Sequence, residues 1–223
     1  MTTATIPKIH WLPAPKMLST EHEHLDIWLL ELDQMPCYPD DLDAAEITRL
    51  NNFKFDRARQ QFCRARTALR IILGRYLGCD AADVPLTVNS GGKPGIDHTS
   101  PGLYFNLSHA GNTALLAVRT GHEVGIDVEN HRDLPNARHL AQRIFRDKEI
   151  TKLKQSKWDS ALFFRLWTHM EARQKCLGRG VFGEASSENV VESRSLTLNA
   201  NQYAAIAWPT DTAPKTINFY NGL

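Results

Sequence analysis

At 223 residues, with 42% apolar and 23% charged side chains, the chain can bury a sizeable core and has the composition of an ordinary globular protein. A formal net charge of +1 lacks the net basic balance usual in a nucleic-acid-binding domain. The opening MTTATIPKIHWLPAPKM holds neither an apolar signal core nor a membrane span.

In chain order, LDIWLLEL (25–32) reads as a buried strand and LDAAEITRLNN (42–52) as a short helix. FKFDRARQQFCRARTALRIILGRYLG follows as a long helix, with Phe62, Ala65, Leu69, Ile72, Leu73 and Tyr76 at helical spacing and Gly78 as its stop. NSGGKPGI around Lys93 is a turn. LYFNLS (103–108), ALLAV (114–118) and VGIDV are strands. ARHLAQRIF (137–145) and WDSALFFRLWTHMEARQKCLG (158–178) are amphipathic helices. SLTL (195–198) and YAAIAW (203–208) are late strands, and the polar tail from Pro209 is expected to be partly loose. Strands and helices alternate without regular βαβ spacing, so the fold class is α+β. No repeat of solenoid period is visible.

Charge is unevenly distributed. Residues 1–52 carry nine acids against three bases, whereas residues 53–77 carry seven bases against Asp56 alone. That contrast calls for internal pairing, an anionic ligand, or both. Cys37, Cys63, Cys79 and Cys176 form no CxxC pair and no zinc spacing, so a reduced, cytoplasmic protein is expected.

VGIDVE (124–129) sets Asp127 and Glu129 two apart in an apolar strand, projecting to one side. Two carboxylates at one site repel, and a hard dication such as magnesium removes that cost. The competing reading is a strand end where both acids reach water. In the helix ending at Gly178, Trp167, Glu171 and Lys175 stack four apart, and the tryptophan turns that stripe inward. Glu171 and Lys175 otherwise make an ordinary surface ion pair. Ser108 and His109 lie in NLSHAGN, where a strand ends, and gather a hydroxyl, an imidazole and backbone N–H groups suited to an anion or to a plain turn. Arg66 and Lys93 add positive charge from other segments or belong to solvated surface. Gly178, Gly180 and Gly183 fit GxGxxG but follow a helix, so the dinucleotide context is absent.

Taken in order, a basic helix with Arg66, SGGKPGI with Lys93, FNLSHA with His109, VGIDVE and LWTHMEARQK resemble the 4'-phosphopantetheinyl transferases of the longer, surfactin-synthetase-activating class. VGIDVE is similar to the family's GIDxE signature and WTHMEARQK to its W-[ST]-x-x-E-A-x-x-K signature. The likeness runs from about Arg49 to Gly180 and more loosely into YAAIAW, with HWLPAP and LDIWLLELDQ similar to cyanobacterial-type members. It implies a pseudo-dimer of two similar α+β halves, here residues 1–115 and 116–223, with the metal site in the second and the catalytic cleft between them.

The resemblance further implies transfer of 4'-phosphopantetheine from coenzyme A to a serine of an apo acyl or peptidyl carrier protein, with release of adenosine 3',5'-bisphosphate. Asp127, Glu129 and Glu171 would hold Mg2+ or Mn2+, and Glu171 or a water beside it would take the serine proton. Lys175, Arg66, Lys93, Ser108 and His109 would bind the phosphates of coenzyme A, and Glu149 aligns with a further catalytic acid. A monomer is expected, with no nucleic-acid or membrane partner. Where the family commonly has lysine before the helix glutamate, this chain has Met170, preceded by His169. Two other readings stand beside this one. The first is another Mg2+-dependent phosphoryl enzyme, a phosphodiesterase or nuclease; the second is a coenzyme A binding module without turnover.

Overall fold

Strict alternation of side chains along the strands decides how the layers stack. In the computed structural model, which describes residues 9–15, 18, 24–89, 91–97, 102–178 and 190–223, β2 (His24–Glu31) pairs antiparallel with β6 (Thr113–Thr120), and β6 pairs with β5 (Leu103–Ala110). Trp28 and Leu30 of β2, with Leu116 and Val118 of β6, turn to one side. There they meet Leu69, Ile72 and Leu73 of α2 (Asp56–Leu77). Leu25, Ile27, Leu115 and Ala117 turn to the other side and pack on a second sheet. β6 is therefore buried along its whole length, each face against a different partner.

The second sheet holds β7 (Gly125–Asn130), β9 (Gln202–Pro209) and β8 (Val191–Leu196), in that order and all antiparallel. Ile126, Val128, Ile206 and Trp208 face the first sheet. Ala205 and Ala207 face the opposite way, onto Ala172 and Cys176 of α5 (Ser160–Cys176). Each sheet thus carries its own long helix, the α+β organisation expected from the sequence. The division expected at residue 115 falls inside the unbroken strand β6.

Gly125 sets the spacing of the second sheet and α5. A Cβ there would lie 2.1 Å from the Ala172 carbonyl oxygen and 2.4 Å from the Cys176 nitrogen. Only a residue without a side chain lets the two backbones approach so closely.

Most helices fall where their periodicity put them. α1 (Ala44–Asn51) starts at a capping box in which Asp43 accepts from the Glu46 N–H and Glu46 from that of Asp43. Gly78, at φ 69°, ends α2 in the left-handed conformation. α3 (Ala137–Ile144) matches its expected span, and α4 (Asp147–Gln155) was not anticipated, its run being only nine residues of mostly charged sequence. The turn around Lys93 joins a small hairpin of β3 (Leu86–Val88) and β4 (Pro94–Ile96).

Two expectations fail. The tail is not loose: β10 (Thr216–Asn221) lies between β1 (Leu12–Pro13) and β2, parallel to both. Its Asn218 donates to the buried Asp26 at 2.8 Å, and Phe219 packs on the core between the sheets. Its alternation was masked by polar neighbours. Nor are all four cysteines reduced, because Cys37 and Cys63 are joined in a disulfide, their Cα atoms 5.4 Å apart. A separation of 26 residues gave no hint of it. The Gly180 and Gly183 of the rejected glycine pattern lie outside the described residues.

Replacing Gly125 with Ala should force α5 off the sheet and cost about 1–3 kcal/mol, the usual cost of overpacking. Thermal unfolding of the two proteins checks it; an unchanged Tm would show that the helix can shift freely.

Candidate active site

Asp127 and Glu129 stand on the same face of β7 as Gly125, so they point at α5 and not at the core between the sheets. This is why an otherwise apolar strand carries two acids. Glu171 and Lys175 sit one turn apart on α5 and come down toward them.

Lys175 Nζ donates to Asp127 Oδ1 at 2.6 Å and to Ser108 Oγ at 3.1 Å, and Ser108 Oγ also donates to Asp127 Oδ1, at 2.9 Å. Three elements, β5, β7 and α5, therefore meet at a single carboxylate oxygen. Its other oxygen, Asp127 Oδ2, is buried with no hydrogen-bond partner. Burial raises the Asp127 carboxyl above the usual range, against the pull of Lys175 and Ser108. Glu171 is pushed up to about 7 by burial first, then by the negative charge of Asp127 and, less, of Glu129, with Lys175 opposing. Glu129 itself pairs with Arg132 at 2.7 Å.

β7 is an edge strand of its sheet, and its free N–H groups need acceptors. Asn106 Oδ1 accepts from the Ile126 N–H at 2.8 Å and Ser108 Oγ from that of Val128 at 3.4 Å. Side chains of β5 thereby satisfy the edge of β7 and fix Ser108 beside Asp127. His109 points to the opposite face of β5 by alternation. Its imidazole reaches the surface, and it is held below the usual histidine range by partial desolvation and then by the charges of Lys175 and Arg49.

The remaining expected residues are engaged elsewhere. Arg66 donates from Nε to Glu46, which also accepts from Arg70 at 2.7 Å. Lys93 pairs with Glu123 and donates to the carbonyls of Val124 at 3.1 Å and Cys176 at 3.5 Å, the latter at the end of α5. Glu149 caps α4, accepting from the Arg146 N–H at 3.0 Å. Met170 packs against the apolar cluster of Ala141, Phe145, Leu153, Phe163 and Phe164, so packing replaces the charge expected at that position.

Sequence reading missed two contributors. Asn106, within FNLSH, is visible there only as a polar residue in a strand. His169 receives no assignment from sequence, yet both its ring nitrogens bond β8 hydroxyls, Nδ1 with Ser193 at 2.7 Å and Nε2 with Ser195 at 2.8 Å. Burial and Arg173 keep that imidazole neutral, down to about 4, so it ties α5 to β8 without adding charge.

A dication is tested against this arrangement by its donors. No group of three His, Cys, Asp or Glu side chains stands close enough to hold a metal among the described residues. The orphaned Asp127 oxygen, and a Glu171 raised by burial and then by the charge of Asp127, nevertheless fit hard oxygen ligands gathered for a cation. In this structure the ammonium of Lys175 supplies the positive charge.

The family model of the 4'-phosphopantetheinyl transferase superfamily matches residues 123–214. The chain is 36% identical over 206 residues to 4'-phosphopantetheinyl transferase HetI of Nostoc sp., covering 89% of this chain and 86% of that protein. It is 33% identical over 162 residues to a putative 4'-phosphopantetheinyl transferase, slr0495, of Synechocystis sp., covering 70% and 66%. With AcpT of Salmonella typhimurium, also named a 4'-phosphopantetheinyl transferase, it shares 32% over 127 residues, covering 56% and 64%.

An acid held near 7 against an ordinary 4.5 destabilises the fold once ionised. The folded chain therefore loses stability as pH climbs from 4.5 through 7. Without added metal, Glu171→Gln should unfold at higher temperature than the parent at pH 8, by on the order of 1–3 kcal/mol. The gap should close toward pH 4. A gap that widens in acid would contradict the electrostatics described.

Proposed function

The chain belongs to the 4'-phosphopantetheinyl transferase superfamily, and on that premise we propose that the acids around Asp127 and the cations beside them are its catalytic centre. It is an enzyme that transfers 4'-phosphopantetheine from coenzyme A to a serine of an apo acyl or peptidyl carrier protein, leaving adenosine 3',5'-bisphosphate. The observation that supports this placement is the shared contact of Ser108, Asp127 and Lys175, with Glu171 raised to about 7 beside it.

In this reading Asp127, Glu129 and Glu171 hold Mg2+ or Mn2+, which would neutralise charge on the pyrophosphate. Glu171 accepts the proton of the serine hydroxyl as its oxygen bonds to the phosphorus of the pantetheine arm and the bond to the departing bisphosphate breaks. Lys175, on leaving Asp127, sets its ammonium on a phosphate oxygen. Ser108 and His109 bind phosphate at the end of β5. Arg66 and Lys93 join them by exchanging Glu46 and Glu123 for phosphate oxygens. Glu149 acts by fixing the start of α4.

Both sheets and both long helices lie within one chain, which supports a monomer as the working form. No helix among the described residues is long and apolar enough to cross a membrane, and the reading places the enzyme in the cytoplasm. There the Cys37–Cys63 bridge would be opened by the thiol pool.

Incubation with coenzyme A, Mg2+ and an apo carrier domain should add one phosphopantetheine to the carrier, read by intact-protein mass spectrometry, and a chelator should stop it. Asp127→Ala and Glu171→Ala should each abolish transfer while the fold persists. Lys175→Ala should slow transfer less severely. Full activity in either acid variant would refute the assignment of metal ligands.

A further inference from the structure

The seven bases of residues 53–77 divide into two groups. Arg64 donates to the Leu32 carbonyl, Arg66 and Arg70 to Glu46, and Arg75 to the Pro15 carbonyl, all pointing inward. Lys54, Arg57 and Arg59 are exposed, around the turn that starts α2, and Arg59 reaches only the neutral Asn51. Arg49 of α1 is exposed nearby, its guanidinium 5.2 Å from the Phe62 ring.

In the middle of these cations stands Phe55, 75% exposed, the most exposed large apolar side chain among the described residues. It also occupies the N-cap of α2 without contributing a cap hydrogen bond. Serine, threonine, aspartate or asparagine there would stabilise the helix by roughly 1 kcal/mol over a residue that cannot cap. Phe55 thus breaks two local rules at once, exposing an aromatic ring and forgoing a cap. Such a breach points to function.

The corner adjoins the active site. Gln61, one and a half turns along α2, donates to the Gly111 carbonyl at 2.9 Å, in the hairpin turn that follows His109. The charge of Arg49 is also felt at His109. Phe55 does not line the neighbouring cavity walled by Leu50, Asp56, Arg59 and Cys63, so the ring is not part of a small-molecule subsite there, which requires a concave wall. It has the character of a protein anchor, an aromatic side chain ringed by cations.

We infer that Phe55, with Lys54, Arg57, Arg59 and Arg49, docks the carrier domain through a segment beside its acceptor serine that presents carboxylates around an apolar pocket. This rests on the transferase reading. Charge complementarity selects the partner: four exposed cations, with Asp56 the one acid between residues 47 and 77, favour an acidic surface and steer its approach.

The test uses the full chain with coenzyme A, Mg2+ and an apo carrier domain, comparing the parent with Phe55→Ser and with the combined Lys54→Glu, Arg57→Glu and Arg59→Glu variant. For both, the KM for carrier should rise about tenfold or more, while the KM for coenzyme A and the rate at saturating carrier stay as in the parent. Phe55→Ser should also melt at the same or a higher temperature, because serine caps α2. A gain in stability with a loss of docking is an outcome that a structural role cannot produce. Added salt should raise the carrier KM of the parent far more than that of the charge-reversed variant.

A carrier KM within about twofold of the parent in both variants would overturn the assignment. So would a coenzyme A KM that moves in step, or a lower melting temperature for Phe55→Ser. If Phe55→Ser instead converts a dimeric parent to a monomer on light scattering, the corner binds a second copy and the carrier assignment fails. A parent that labels no carrier at all would sink the transferase reading itself, before any variant is compared.

Discussion

Where Gly125 meets Ala172 and Cys176, strand and helix backbones lie closer than any side chain would permit, and this proximity decides what the acids of β7 can touch. Were α5 a side chain's width further out, Lys175 would not span from its helix to both Ser108 and Asp127. The same approach buries Asp127 and Glu171. Burial then converts an ordinary pair of carboxylates into a strained electrostatic group. The site's chemistry is thus a consequence of a packing distance, set by the one residue that leaves room for it.

A carboxylate as buried as Asp127 costs several kcal/mol unless its charge is matched. Lys175 and Ser108 match one oxygen and leave the other bare. An ammonium contributes a single charge, whereas a dication shared with Glu171 would also relieve the repulsion from Asp127 that adds to burial in raising Glu171 to about 7. The arrangement is therefore half compensated: stable enough to fold, and still favourable toward a stronger cation. The position of Met170 fits this balance. Its side chain joins the apolar cluster under α5, while His169 is held neutral between two serines. Of the helix residues from 169 to 171, only Glu171 contributes charge to the site.

Much of this was legible in the sequence because its periodicities are strong. The buried strands, the long helix ending at Gly78 and the paired acids of VGIDVE follow from spacing alone, as does the stripe of Trp167, Glu171 and Lys175. Other features depend on tertiary neighbours that no local pattern announces. Cys37 meets Cys63 across 26 residues. β10 takes its place in the sheet through pairing with β2, not through its own hydrophobicity. Ser108 reads as a turn residue, yet it caps a strand edge of the other sheet and bonds Asp127. Arg66 reads as a free cation, and its partner Glu46 sits in a different helix.

The acidic opening and the basic helix are two sides of one arrangement. Asp43 and Glu46, already committed to the first turn of α1, also receive Arg66 and Arg70. Arg70 is almost fully buried, and three carbonyls of residues 81–84 share its guanidinium with Asp43 and Glu46, so it is fixed. Arg66 has only Glu46 to hold it, and Glu46 would keep Arg70 if Arg66 left. The pair is thus asymmetric: Arg70 belongs to the fold, and if Arg66 exchanges Glu46 for a phosphate, as the proposed function has it, Arg70 still matches the buried carboxylate.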